Sequence, residues 1–495
     1  MQIRGRNRAC GPFFRHTGRN AARRPPTGAR MRIAFSQHAA VLDSDLETPV
    51  GLFLRLAGDL PGILLESAEV DGHWGRYSII GTDFLLSASC REGLLDIRAA
   101  DERLAPLRKL TGRPFLPGLR ELLRSLHIEG DPAQPPITRA LYGLLGYGIA
   151  GMFEPKTALF LPPRAAEACL ALPGSLIVFD HSYNRITRLD LLLDGKAVQA
   201  LPPARAPTEY PPGVDLPLAE RTGYTASVTR VKDLIRRGEA IQVVLSVPFS
   251  APLSESPFSL YRRLRRVNPS PYMFYMRLPD AGTGVVLGAS PEVLVTCEAD
   301  RLRLCPIAGT RPRSLHPDED ILFGDELQQD PKEKAEHVML VDLGRNDLGR
   351  IARPGSVQLE RFMEVERFSH VMHLTSRINA LLAPGLDALD VLAATFPAGT
   401  VSGAPKVRAM EIIAEEERAP RGPYAGAVGW IGLDKDAVHL DFGITIRSLW
   451  VRGGRVHWQA GAGIVHDSVP EKEWMECCAK AAVIRQVVLG EDAPL

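Results

Sequence analysis

The chain has 495 residues, 45% of them hydrophobic and 24% charged, the composition of a globular protein whose core divides over two or three domains. Its net charge of +1 gives no reason to expect a nucleic-acid or membrane-surface partner, and the longest apolar run, LYGLLGYGIAGMF at 141–153, is too short and glycine-broken to span a bilayer. Seven cysteines (Cys10, Cys90, Cys169, Cys297, Cys305, Cys477 and Cys478) form no CxxC pair, and the odd number argues against a disulfide framework and for a reducing cytoplasm.

Residues 1–30 carry eight arginines and no acid, so removing them takes the net charge from +1 to −7. They read as a disordered leader: a transit peptide, which would imply a plastid, or sequence upstream of a true start at Met31. From 31 to about 200, strand patterns dominate: RYSIIGTDFLLSASC (76–90), ALYGLLGYGIAG (140–151) and GSLIVFDHSYNRITRLDLLL (174–193). Between them FLPGLRELLRSLHI (115–128) has the spacing of an amphipathic helix. The proline-rich stretch PPARAPTEYPPGVDLPL (202–218) reads as a linker, placed at 201–220.

The remainder, 221–490, mixes types. A helix over 224–239 leads into the buried strand IQVVLSVPFSA (241–251), and PFSLYRRLRRV (257–267) is helical. YMFYMRL and GTGVVLGAS form an expected hairpin, and helices over 331–345, 405–416 and 469–488 alternate with further strands. The pattern predicts an α+β fold of two packed, largely antiparallel sheets with helices on the outside.

Four stretches carry candidate chemistry. In PKEKAEHVMLVD (331–342) Asp330 is a candidate N-cap and Pro331 a first-turn residue, so Glu333 and Glu336 share one helix face. A second helix opens with Ser468 and Glu471 spaced as a capping box, and presents Glu473, Glu476 and Lys480 on one face. Carboxylates from two helices suit a hard cation such as Mg²⁺, although acids at a helix start also suit plain solvent exposure. QAGAGIV (459–465) offers Gly461 and Gly463, whose backbone N–H groups can approach an anion; a dinucleotide fingerprint is incomplete here. FPAGTVSGAPKVRAMEII (396–413) fails the phosphate-loop spacing, but Gly399–Thr400 can supply a donor. In SHVMHLTS (369–376) His370 and His373 lie an odd number apart, so a strand lets only one reach a site. There is no zinc-type His/Cys cluster and no GxSxG.

Taken together, PIAGTRPR (306–313), EKAEHVMLVDLGRNDLGR (333–350), FPAGTVSGAPK, DFGITIRS (441–448) and QAGAGIVHDSVPEKEWMECCAKA (459–481) resemble the chorismate-utilising enzymes, most closely the large aminase subunits of the anthranilate synthases. The resemblance spans about residues 35–490. It implies an α/β/β/α sandwich that converts chorismate and ammonia to anthranilate and pyruvate with Mg²⁺, at the head of tryptophan biosynthesis. On it, Glu336 and Glu476 hold the metal, with Glu333 and Glu473 as further acids. Tyr424, Arg447 and the backbone at Gly461, Ala462 and Gly463 bind carboxylates, while Gly309, Thr310 and Thr400 line the ring and Lys480 lies nearby. Glu292, in GASPE, matches the general acid for the departing C4 hydroxyl, and His373 the histidine that assists pyruvate loss.

Two positions select among relatives. Water-using members place a lysine base where this chain has Gln242, and members that aminate at C4 carry lysine where it has Ala308. Both favour anthranilate formation over the alternative, aminodeoxychorismate synthase component I. LLESAE (64–69) and NPSPYMFY (268–275) resemble a tryptophan feedback pocket lined by Ser67, Asn268, Pro269, Ser270, Tyr272 and Met273, which makes residues 31–200 a regulatory region. No nucleophile-elbow cysteine with a downstream His/Glu pair is present. A separate glutamine amidotransferase subunit, component II, is therefore implied, in a heterotetramer of two large and two small subunits.

Overall fold

A computed structural model describes residues 32–490 apart from 44–45, 68–74, 164–165, 204–219, 280–283, 368–370 and 418. The expected leader, most of the expected linker and His370 lie outside the described residues. Twenty-two described strands join one continuous hydrogen-bonded network, antiparallel throughout except where Ile33–Leu42 runs parallel to Leu126–Glu129.

The network has two wings. One runs from Gln242–Pro252 through Arg455–Ile464, Ser448–Arg452, Val285–Ser290 and Tyr272–Arg277 to Gly62–Glu66. The other runs from Ala140–Leu145 through Ala427–Gly432, Leu440–Ile444, Val293–Glu298 and Arg301–Leu304 to Val371–Leu381. Ile307–Pro312 and Gln358–Arg367 flank this last strand. The long strands Tyr77–Arg91 and Ala168–Asp180 bridge the wings. Strands from before and after residue 220 therefore interleave.

Alternation along single strands shows that the wings face each other. In Tyr272–Arg277, Phe274 and Met276 join a core with Leu294, Val295, Val428 and Phe442 of the opposite wing. Their neighbours Met273 and Tyr275 turn the other way, onto a core shared with Phe53, Phe258, Leu264, Ile484 and Val487 from helices. This is the expected sandwich of two sheets with helices outside.

Most expected helices are present with shifted ends. Pro257–Val267 matches its expected span, and the others fall at Arg221–Arg236, Pro331–Gly349, Lys406–Glu416 and Pro470–Leu489. The helix expected over 115–128 stops at Ser125, because Leu126–Glu129 pairs with the first strand instead. The strand expected over 140–151 ends at Leu145, where Gly146 opens a 3₁₀ turn. Asp330 caps its helix as expected, accepting from the N–H groups of Lys332 and Glu333 at 2.9 and 3.2 Å. The Ser468 capping box does not form: Val469 is the cap, and the Ser468 hydroxyl accepts from the Val465 N–H at 3.0 Å. The tight turn over 465–468 satisfies its own donor first.

Phe258 is buried in the helix-side core, stacked on Phe53 at 4.9 Å and edge-on to Tyr275 at 5.0 Å. Phe258→Ala should lower the unfolding free energy by about 3–5 kcal/mol, read as a reduced urea midpoint. A loss below about 1 kcal/mol would mean that the helices contribute little to holding the first wing.

Candidate active site

A cavity of about 1910 Å³ opens beside the two wings, lined by Glu292, Gly309, Thr310, His373, Thr400, Tyr424, Arg447, Gly461 and Gly463. Glu333, Glu336, Glu473, Glu476 and Lys480 line it too, as does the turn formed by Asn268, Pro269, Ser270 and Tyr272. Segments more than two hundred residues apart in sequence therefore converge on one space.

The glycine strand owes its orientation to the ladder. Val244 donates its N–H to Ser402 O at 2.9 Å, and Ser246 donates to Glu417 Oε1 at 2.8 Å, both away from strand Arg455–Ile464. Their cross-strand partners, Gly463 and Gly461, accordingly point their amides off the opposite edge, toward the cavity, while Ala462 pairs inward with Leu245. The Ala462 side chain is buried among Val243, Leu245 and Ile412, outside the cavity lining. A Cβ at Gly461 would sit 2.7 Å from the Tyr424 hydroxyl, so only glycine leaves that ring its place.

Arg447 stands just after Leu440–Ile444 with φ +49°, and its carbonyl accepts from Ala289 N–H at 3.2 Å. Burial lowers its pKa, meaning that the guanidinium charge is poorly solvated and favours an anionic partner. Glu292 shows the opposite effect: burial pushes its carboxyl up to about 7, despite the nearby Thr400 hydroxyl and Lys480. Thr400 Oγ1 approaches it without completing a hydrogen bond. Lys480 donates to Gly461 O at 3.2 Å and pairs with Glu476 at 2.7 Å.

His373 lies on the cavity face of Val371–Leu381, while Met372 and Leu374 pack on the other side against Leu327. Its Nδ1 is 2.8 Å from Gly309 O and 3.1 Å from Thr310 Oγ1. A carbonyl only accepts, so Nδ1 carries the proton and Nε2 is the basic nitrogen. Burial pulls the imidazole below its usual range, keeping it neutral at physiological pH. Gly309 adopts φ +65°, and a Cβ there would meet Leu327 at 2.7 Å and Glu333 Oε2 at 3.1 Å.

The two helices with paired glutamates both present them to the cavity. Burial, then the neighbouring Glu336, raises the pKa of Glu333; burial, then Glu476 among its neighbours, raises that of Glu473. Lys332 of the first helix offsets Glu473 of the second, so the two helix starts approach each other. Among the described residues no three His, Cys, Asp or Glu side chains form a ready metal cluster. The donor set nonetheless fits a hard divalent cation: all-oxygen, partly desolvated and mutually repelling, with space for further oxygen ligands. Glu336 and Glu476, one from each helix, could hold it, with Glu333 and Glu473 as further acids of the same lining.

Gln242 and Ala308 also line the cavity, and Gln242 Oε1 is buried with no hydrogen-bond partner. Of the residues assigned to a tryptophan pocket, Asn268 donates to Ala289 O at 3.2 Å and Tyr272 to Asp441 Oδ1 at 2.6 Å. Met273 instead packs in the helix-side core, and Ser67, with a buried and unpartnered hydroxyl, is outside the lining. Gln459 and Lys332 are lining residues that sequence reading missed. The period of two that joins Gly461 to Gly463 extends to Gln459 and could have found it.

The unfolded chain releases the Glu292 proton near the ordinary 4.5, whereas the folded chain keeps it to about 7. Between those values the unfolded state binds fewer protons, so stability falls as pH rises. Glu292→Gln should therefore gain on the parent by on the order of 2–3 kcal/mol between about pH 4.5 and about pH 8, measured as urea midpoints at both. A gap independent of pH would mean an unshifted carboxyl.

Comparison with known proteins supplies the family. The model for chorismate binding enzymes matches residues 96–486. Anthranilate synthase component 1 of Streptomyces coelicolor is 42% identical, covering 94% of this chain and 91% of its own. That of Thermus thermophilus is 40% identical, covering 90% of this chain and 97% of its own. The crystal structure of anthranilate synthase component I from Streptococcus pneumoniae superposes with a TM-score of 0.67 at 32% identity, covering 90% of this chain and 99% of that one. Matched along nearly their whole length by such relatives, the residues around this cavity are those of a chain that belongs to the chorismate binding enzymes, among the anthranilate synthase component 1 proteins.

Proposed function

We propose that the chain converts chorismate and ammonia to anthranilate, pyruvate and water. The convergence of Glu292, His373, Arg447, Glu336 and Glu476 on one cavity carries this reading. Arg447, Tyr424 and the Gly461 and Gly463 amides receive a carboxylate of the dianionic substrate, which offsets the cost of removing it from water. Mg²⁺, held by Glu336 and Glu476, would neutralise the ring carboxylate.

With its proton retained to about pH 7, Glu292 donates to the C4 hydroxyl, so that water leaves as ammonia adds at C2. Gln242 cannot serve as the base that would activate water, and Ala308 cannot act as a covalent nucleophile; both support ammonia attack at C2. His373, neutral and oriented through Nδ1, assists the second step, in which the enolpyruvyl group departs as pyruvate and the ring becomes aromatic. Thr400 and Lys480 flank Glu292, and Gly309 and Thr310 close the cavity above the ring.

We assign residues 221–490 to this catalysis and 31–200 to regulation, with tryptophan bound near the 268–272 turn. Ammonia comes from a separate glutamine amidotransferase subunit, and two copies of each subunit assemble. A second reading, aminodeoxychorismate synthase component I, draws on the same cavity and predicts an amino-chorismate product instead.

Chorismate, Mg²⁺ and an ammonium salt should give fluorescent anthranilate with stoichiometric pyruvate, without a partner subunit. An amino-chorismate accumulating without pyruvate would favour the second reading. Glu336→Gln should leave the fold intact and lower activity at limiting Mg²⁺ by roughly tenfold or more, since carboxylates dominate oxygen-donor sites. An unchanged Mg²⁺ titration would move the metal elsewhere.

A further inference from the structure

Glu417 and Arg421 lie behind the cavity wall, and none of the steps above uses them. The Arg421 side chain is 1% exposed and that of Glu417 10%, and the two pair at 2.6 Å. Arg421 also donates to Val401 O and to Val244 O, each at 2.7 Å. Its guanidinium lies 4.7 Å from the Tyr147 ring centre and 5.6 Å from that of Tyr424. Glu417 Oε1 in turn accepts from Ser246 N–H at 2.8 Å and from the Ser246 hydroxyl at 2.7 Å. That hydroxyl accepts from Gln459 Nε2 at 2.7 Å, and Gln459 lines the cavity.

This network takes the place of a missing strand. Among the described residues, the edge of Gln242–Pro252 near Val244 and Ser246 has only a two-residue strand neighbour, Gly403–Ala404. Arg421 supplies a donor to the Val244 carbonyl, and Glu417 an acceptor for the Ser246 N–H. In doing so they fix three parts of the wall at once: the 399–401 turn through Val401, the Tyr424 ring by stacking, and the glycine edge through Ser246 and Gln459. Lysine could not reproduce this, because one ammonium cannot serve a carboxylate and two diverging carbonyls in the plane of a guanidinium.

We propose that Arg421, with Glu417, is a positioning residue that sets the carboxylate-binding wall of the cavity. This rests on the reading that the cavity binds chorismate. A misplacement of about 1 Å in such a wall costs roughly a hundredfold in reactivity.

The test separates positioning from stability. A buried ion pair can often be replaced by apolar side chains without loss of stability, whereas removing one partner alone is costly. The double variant Arg421→Met, Glu417→Met should therefore melt near the parent temperature yet show a chorismate KM raised about tenfold to hundredfold, with the ammonium KM unchanged. Arg421→Lys, which keeps the charge, should show the same split to a smaller degree. Overturning results are a folded double variant with the parent chorismate KM, or parallel rises in both KM values. Should the double variant fail to fold, Arg421→Lys is read by the same two criteria. An unmodified enzyme that makes no anthranilate would instead defeat the underlying reading.

Discussion

The register between Gln242–Pro252 and Arg455–Ile464 is the constraint on which the cavity depends. Antiparallel pairing alternates inward and outward amides, so a slip of one residue would turn Gly461 and Gly463 into the ladder and Ala462 out of it. Nothing in the glycines themselves fixes that choice. It is fixed from the other edge, where Ser402, Glu417 and Arg421 occupy the outward groups of Val244 and Ser246. Buried polar groups left unpaired are costly, so the network makes the wrong register expensive as well as the right one favourable.

Around that edge the charges are segregated by function. Arg447 is desolvated and loses proton affinity, Glu292 is desolvated and gains it, and the same low-dielectric cavity causes both. A dianion entering would restore the favourable state of Arg447 and leave the proton on Glu292. The glutamates on the two helices sit at the rim, where their repulsion is tolerated and a cation could relieve it. Lys480 joins the two regions through Glu476 and Gly461.

Much of this was legible in sequence because it follows local rules. Asp330–Pro331 announces its helix, and Glu333 and Glu336 share a face by spacing alone. The metal-holding role proposed for them was not legible from that spacing alone; it needed a second glutamate helix and the joint motifs of the family. Capping at Ser468 failed because a local turn competed for the same hydroxyl, which the pattern S-x-x-E does not reveal. The helix over 115–128 was overestimated because a parallel partner far upstream, Ile33–Leu42, claims its last residues. Glu417 and Arg421 drew no attention in the sequence, since nothing local says that a strand edge lies beneath them.

The 268–272 turn is connected to the cavity by backbone rather than by proximity alone. Asn268 Nδ2 donates to Ala289 O, and Ala289 N–H donates to Arg447 O, each at 3.2 Å. Glu292 follows three residues after Ala289, and Tyr272 pairs with Ser290 between them. A ligand that displaced Asn268 would thus act on Ala289, whose N–H holds the Arg447 carbonyl and whose carbonyl leads on toward Glu292. Such a ligand alters catalysis only to the extent that it binds the displaced arrangement better than the other.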